Sequence, residues 1–271
     1  MADEDDRILA IELGGKPIRA HLEAAEAAGQ IARNAQTGTY RLTKPPHNRF
    51  IRRVAIRPGE FGRTCKFLND FLFRTVYGNS TVPWGCRGCH KVKVLSTTMR
   101  QLMAVKTISE ETPLSTKSGS ELASPEHRYA TYIYTRSLDE ARTTYKTVRA
   151  RIDADPALGP AIKVIIKRGC TNYETNCGPS DRYALDPRLA EVEDYFHARF
   201  EHSPRANRDV ENTVNRMQIA WTACQIGDET YKDFTGGKEI ARENGPPPAY
   251  RPKPSVVTYP PEPVPEPDRA R

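Results

Sequence analysis

The chain has 271 residues, of which 38% are hydrophobic, and its formal net charge is +7. That hydrophobic share is below the roughly 45–50% usual for globular domains, so part of the chain is expected to lie outside any core. No apolar run approaches the roughly 20 residues that cross a bilayer, so we expect no membrane-spanning segment. The acidic start, Met1 to Arg7, differs from a secretory signal, which predicts a cytoplasmic protein with reduced thiols.

The first part of the chain predicts two helices separated by a break. Residues 17–34 are rich in alanine and favour a helix. Pro45-Pro46 interrupts the pattern, and the apolar stretch 50–56 is a weak candidate strand. A second helix is predicted over residues 60–76, whose apolar face carries Phe61, Cys65, Leu68 and Leu72. Cys65 is therefore expected to be buried, although its helix leads toward the next cysteines, which leaves a ligand role open.

The middle of the chain, about residues 90–168, has the order strand–helix–strand–strand–helix–strand. The predicted strands are Lys91–Leu95, Ser115–Leu122, Tyr129–Tyr134 and Ala161–Ile166. Capping boxes at Thr98–Gln101 and Ser137–Glu140 start the two helices. This order is the split βαβ arrangement, so the predicted fold class is α+β with a ferredoxin-like core, flanking helices and a C-terminal arm.

The last third of the chain predicts two helices followed by the arm. One helix starts at Asp186-Pro187. The second has an apolar face of Val210, Val214, Met217, Trp221 and Cys224. From Gly245 onward proline dominates, which predicts an extended or disordered arm that docks on a protein partner. We therefore divide the chain into an N-terminal segment (1–58), a metal-binding ferredoxin-like domain with flanking helices (59–238) and a Pro-rich arm (239–271).

Four cysteines flank the predicted core and form the candidate site. Cys86 and Cys89 precede the first strand, and Cys170 and Cys177 follow the last one. In the predicted topology these two strands are antiparallel neighbours, so Cys89 should come close to Cys170. Clustered thiols in an intracellular protein usually hold a metal, which makes Cys86, Cys89, Cys170 and Cys177 the predicted metal ligands. Four unconnected loop thiols are the alternative interpretation.

Zinc and an iron–sulfur cluster both fit thiol ligands. Structural zinc tends to use two tight knuckles, whereas six residues separate Cys170 from Cys177, so the spacing favours an iron–sulfur cluster slightly. Cys86-Arg-Gly-Cys-His90 also matches the attachment motif of c-type haem, but that attachment occurs outside the cytoplasm. The cofactor expected is therefore an iron–sulfur cluster or zinc.

The predicted function is that of a metal-binding accessory or subunit protein that docks on a larger partner. A redox enzyme or electron carrier that uses an iron–sulfur cluster is one alternative. A nucleic-acid-binding protein is another, although the positive charge is spread diffusely along the chain. Phosphate-binding loops, dinucleotide fingerprints and nucleophile elbows are absent from the sequence, so catalysis stays an open question.

Overall fold

The computed structural model describes residues 2–43, 52–56, 64–202, 208–251, 253 and 256–263. Its strands are β1 Glu12–Leu13, β2 Lys16–Pro17, β3 Ile31–Arg33, β4 Tyr40–Leu42, β5 Arg53–Ile56, β6 His90–Ser96, β7 Thr116–Ser124, β8 His127–Thr135 and β9 Lys163–Arg168. Its α-helices are α1 Ala2–Leu9, α2 Ile18–Ala27, α3 Met99–Glu110, α4 Leu138–Ala154, α5 Thr171–Cys177, α6 Leu189–His197 and α7 Arg208–Gln225. A π-helix spans Lys66–Val76, and short 3₁₀ helices lie at Trp84–Cys86, Ser180–Arg182 and Glu229–Phe234. The chain is thus mixed α+β.

The chain folds into two compact units. Unit 1 comprises Met1–Asn48, Pro58–Arg87 and Gly169–Arg208, and unit 2 comprises Arg49–Arg57, Gly88–Arg168 and Asp209–Arg271. Each unit is therefore built from chain segments that are distant in sequence. The three segments expected from composition, with boundaries near 58 and 238, stay a prediction about sequence organisation.

Unit 2 contains a five-stranded sheet in the order β5-β7-β8-β6-β9, with every neighbouring pair antiparallel. His90 pairs with Arg168 across β6 and β9, which confirms the predicted pairing of the first and last core strands. Helices α3 and α4 pack on this sheet through a shared apolar core of Val92, Val94, Val105, Ile133, Val148, Ile152 and Ile166. Both predicted helix starts are confirmed, since Thr98 and Ser137 accept hydrogen bonds from the backbone N–H groups of Gln101 and Glu140.

The strand β7 is longer than predicted and is irregular near its end. Its register with β8 shifts between Ser120 and Ser124, and Leu122 has a φ of 49°. The carboxylate of Glu121, whose side chain is fully buried, lies among the cations of Arg53, Lys93 and Lys253. A buried carboxylate is tolerated when its oxygens are all paired in this way.

Unit 1 is built around an aromatic core. The π-helix contributes Phe67 and Phe71, and the ring of Phe71 lies 4.9 Å from that of Phe200. Residues 64–76 are helical, as predicted, whereas residues 60–63, Phe61 among them, lie outside the described residues. The predicted helix over residues 17–34 is corrected, because α2 ends at Ala27 and Ile31–Arg33 pairs with β4 instead.

Helix α7 of unit 2 does not bury the whole apolar face that the sequence predicts. Val210, Val214 and Met217 are 58%, 49% and 52% exposed. The buried face is carried by four residues nearer the end of the helix: Ile219, Ala220, Ala223 and Cys224. Burial of Cys224 is therefore confirmed, Trp221 is partly buried, and the prediction is wrong for Val210, Val214 and Met217.

The described part of the Pro-rich arm is extended, and it lies on unit 2. The N–H of Arg251 donates to the Leu122 carbonyl at 2.8 Å, and Tyr259 packs partly buried against the core below β9. Residues 264–271 of the predicted arm lie outside the described residues, as do Phe50 and Ile51 of the candidate strand. No helix in the described ranges is long and apolar enough to cross a membrane.

Candidate metal centre

Cys86 lies at the end of the short 3₁₀ helix Trp84–Cys86 in unit 1. The Cys86 N–H donates to the Pro83 carbonyl at 2.9 Å, which closes the turn. Helix α6 holds the same turn from outside, because the Gly85 N–H donates to Oε2 of Glu193 at 3.0 Å. The Arg87 guanidinium lies over the Trp84 ring at 4.7 Å. Contacts within unit 1 thus fix the backbone around this thiol.

Cys170 and Cys177 lie at the two ends of α5. Cys170 is the N-cap residue, and Cys177 is the last residue of the helix. Gly169 turns the chain into this helix with a φ of 61°, and a side chain there would approach the Tyr173 ring to 3.2 Å. Cys177 follows Cys170 by seven positions, and at about 1.5 Å of rise per residue the two residues are separated by about 10 Å along the helix axis.

The buried ring of Tyr173, which lies between the cysteines on α5, organises the site. Its hydroxyl lies 3.3 Å from Sγ of Cys86. Its ring packs edge-on against Phe73 of the π-helix, with centroids 4.5 Å apart. Burial raises the pKa of Tyr173 above its usual range, and the nearby thiols of Cys86, Cys170 and Cys65 raise it further. The Tyr173 hydroxyl therefore stays protonated beside the Cys86 thiol, and Cys170 packs against the same buried cluster.

Cys65 is placed in this group by the packing of the π-helix against α5. Asn69, one turn after Cys65, accepts a hydrogen bond from the Asn172 side chain at 2.9 Å. Phe73, a further turn along the same face, contacts Tyr173. Cys65 itself is only partly buried, so its expected role as a buried core residue does not describe it. The sequence signal for Cys65 was its place on the helix that leads to Cys86.

Cys177 lies in the same apolar cluster but in a different setting. It packs with Cys86 and Cys170 against the buried side chains of Phe73, Val82 and Tyr173. Its Sγ lies 3.9 Å from the Asn79 carbonyl, and burial raises the pKa of the Cys177 thiol. Because metal ligands are thiolates, a raised pKa makes Cys177 the less readily ionised partner.

Cys89 belongs to unit 2, where it directly precedes β6. At Gly88 the chain passes so close to Arg136 that a Cβ atom would lie 2.5 Å from the Arg136 carbonyl oxygen. Glycine, which has no Cβ, therefore allows the chain to enter the strand here. The next residue, His90, has its Nδ1 at 3.0 Å from the Gly88 carbonyl, and burial lowers the pKa of His90. The register of β6 and β9 means that Cys89 and Gly169 are the residues at which both segments leave the sheet.

Two buried polar groups, Glu193 and Tyr77, lie beside Cys86. Burial raises the pKa of Glu193 to about 7, and its Oε1 has no hydrogen-bond partner in the described part of the chain. The Tyr77 hydroxyl is buried beside this carboxyl group. Burial raises the pKa of Tyr77, and the charges of Glu193 and Cys86 add to that effect. Negative charge on Cys86 is thus felt by several groups of unit 1.

Across the described ranges, no three or more His, Cys, Asp or Glu side chains are arranged to hold a metal ion together. Cys86, Cys170 and Cys177 pack against one apolar cluster, so a shared ion would require their thiols to rotate toward a common point. No protein-family model, curated protein sequence or solved structure matches this chain. The residues of the site are therefore the basis for any statement about function.

Proposed function

We propose that this chain is a metal-binding accessory protein whose centre in unit 1 is formed by Cys86 and Cys170, with Cys177 or Cys65 as a further ligand. One observation carries the proposal: Cys86, Cys170 and Cys177 pack against one buried cluster that contains Tyr173, and Sγ of Cys86 lies 3.3 Å from the Tyr173 hydroxyl. Cys89, which follows Cys86 after two residues, stays a predicted ligand.

The placement of Cys170 and Cys177 favours an iron–sulfur cluster over zinc. Zinc holds thiolates at about 2.3 Å, which puts two ligand sulfurs about 3.8 Å apart. Because α5 separates these two residues by about 10 Å of helical rise, they would have to unwind the helix to bind one zinc ion. A cluster offers several iron atoms at different positions and tolerates ligands that are spread apart. If the metal is zinc, Cys65 is the more suitable partner of Cys86 and Cys170.

The fold proposal is a ferredoxin-like core over residues 90–168. Its support is the chain order β6-α3-β7-β8-α4-β9, combined with a sheet in which β6 lies between β8 and β9. The strand β5 adds a fifth member next to β7. The arm docking on a larger partner and the cytoplasmic location belong to the same proposal, since reduced thiols are the state that binds metal.

The alternative functions have weaker support. An electron carrier or redox enzyme would use the same cluster, and reversible bleaching of its visible absorption by a reductant would favour it. Nucleic-acid binding would use exposed basic residues. The sheet lysines Lys91, Lys93 and Lys167 are instead only 4%, 6% and 1% exposed, so this basic row does not support it.

Metal content after anaerobic purification tests the proposal. We expect iron and acid-labile sulfide in the wild type, and a loss of metal affinity in Cys86→Ser and Cys170→Ser. The loss should exceed the roughly 10- to 100-fold cost of removing a hydrogen-bond partner of a ligand. Cys224→Ser is the matched control, because Cys224 is buried in unit 2, where its thiol donates to the Ile240 carbonyl.

Two further variants identify the remaining ligand. Cys177→Ser should lower cluster content if α5 supplies both of its cysteines, whereas Cys65→Ser should lower it if the π-helix supplies the ligand. Unchanged metal content in both Cys86→Ser and Cys170→Ser would contradict the whole proposal. Colourless protein that contains only zinc would exclude the cluster and the electron carrier.

A further inference from the structure

The arm segment around Tyr259 lies along the outer edge of the unit 2 sheet. The strand β9 ends the sheet, and its neighbour within the sheet is β6. The Tyr259 N–H donates to the Ile166 carbonyl at 3.0 Å, and the two residues form an antiparallel bridge. The Tyr259 ring packs edge-on against His90, with centroids 5.4 Å apart. The arm therefore occupies this edge as a short extra strand.

Contacts with α4 hold the following residues of the arm. Nε of Arg142 donates to the Pro260 carbonyl at 3.4 Å, and Nζ of Lys146 lies 3.0 Å from the Glu262 carboxylate. The side chains of Lys146 and Glu262 are 56% and 69% exposed, and exposed ion pairs contribute little to stability. Beyond Tyr259, the described arm is thus held by one long hydrogen bond and one exposed ion pair, so a competing peptide could displace this part of it.

Pro261 limits how far the arm can pair with β9. The Ile166 carbonyl points away from β6, toward the arm. In an antiparallel strand every second residue has the same orientation, so the backbone groups of Val164 and Arg168 also point away from β6. The antiparallel bridge places Pro261 opposite Val164. Proline has no N–H, so it cannot donate to the Val164 carbonyl. The arm is consequently an incomplete partner for this edge.

We propose that the β9 edge, together with His90 and Lys146, is a strand-addition surface for an extended peptide of a partner protein. The segment Tyr259–Glu262 is its intramolecular occupant. The partner peptide carries an aromatic residue in the place of Tyr259, a residue with an N–H two positions later, and an acidic residue one position after that. Backbone pairing supplies affinity in this mode of recognition, and alternate side chains supply specificity. The proposal does not depend on the metal centre.

Binding of two labelled peptides to the full-length chain tests this surface. One peptide has the sequence of residues 256–263, and the other carries Pro261→Val. On the Tyr259→Ala chain, whose arm no longer competes, we expect the Pro261→Val peptide to bind about fivefold more tightly, the effect of one typical backbone hydrogen bond. Both peptides should bind the wild-type chain more weakly, because the intact arm occupies the edge.

A charge reversal on α4 provides a second readout that does not remove a core ring. Lys146→Glu should weaken both peptides, and a peptide with Glu262→Lys should recover the loss. Three results would overturn the proposal: no peptide binding to the Tyr259→Ala chain, equal binding of the two peptides, or binding indifferent to Lys146. Concentration-dependent dimers of the wild type that Tyr259→Ala abolishes would assign the edge to a second copy and overturn it too.

Discussion

Replacing Glu193 by glutamine tests the packing beside Cys86 through its pH dependence. The pKa of Glu193 is raised from 4.5 to about 7, mainly by burial. Hydrogen bonds from the backbone N–H groups of Gly85 and Trp84 act in the opposite direction and lower it. The folded protein therefore holds this proton more tightly than the unfolded chain. The stability that Glu193 contributes is complete below about pH 4.5 and is lost as the pH rises toward 7. At about 1.4 kcal/mol per pH unit, the loss amounts to about 3 kcal/mol.

Urea unfolding between about pH 4 and pH 8, in the presence of a chelator, measures this effect. Glutamine cannot ionise, so the stability of Glu193→Gln relative to the wild type should increase by about 3 kcal/mol across that range. Glu191→Gln is the matched control, because Glu191 lies on the exposed side of the same helix. Its hydrogen bond with Arg7 lowers the pKa of Glu191, so no increase in this direction is expected. A difference between wild type and Glu193→Gln that stays constant with pH would refute the reasoning.

Two further substitutions test unit 2 by the same unfolding measurement. Glu121→Gln should cost about 3–5 kcal/mol at neutral pH, because it leaves Arg53 and Lys93 beside an uncharged group. Burial raises the pKa of Glu121, but the neighbouring cations outweigh it and hold the pKa at about 2, so the wild-type advantage should persist at pH 4.5 and shrink only below it. An advantage that is unchanged at pH 2 would contradict this. Gly88→Ala should lower the free energy of unfolding by about 1–3 kcal/mol, because its Cβ meets the Arg136 carbonyl. Gly245→Ala is the control, since a Cβ there enters open space and should leave the free energy of unfolding unchanged. Equal effects of the two substitutions would contradict the close approach at Gly88.

The sheet of unit 2 was predictable because local signals and long-range pairing agree. The hydroxyl of Thr98 and the side chain of Gln101 form the reciprocal hydrogen bonds expected of a capping box. Alternating valines in β6 place Val92 and Val94 on the face that the helices cover. The irregular end of β7 could not be predicted from local sequence signals. The carboxylate of Glu121 is buried there because cations from distant parts of the chain, Arg53, Lys93 and Lys253, pair with it.

The candidate site was predictable only in part, for reasons of local geometry. The antiparallel pairing of β6 and β9 follows from the order of elements, so the segments that carry Cys89 and Cys170 could be predicted to leave the same end of the sheet. Glycines beside Cys170 and Cys177 suggested a loop, but the intervening residues form one helix whose ends carry the thiols. The approach of Cys65 depends on π-helix packing through Asn69 and Phe73, and a sequence pattern of apolar positions does not contain that information.

In the proposed centre, the groups around Cys86 would connect metal binding to protonation in unit 1. Negative charge on Cys86 is one of the causes that raise the pKa of both Tyr77 and Tyr173. A bound cation offsets thiolate charge, so it would relieve this part of the increase while burial continues to keep both hydroxyls protonated. Tyr173 can then donate its proton to the Cys86 sulfur, and hydrogen bonds to ligand sulfurs are one of the factors that set the reduction potential of a cluster. In the proposed centre, the buried tyrosine would therefore serve as a hydrogen-bond donor to a metal-bound thiolate.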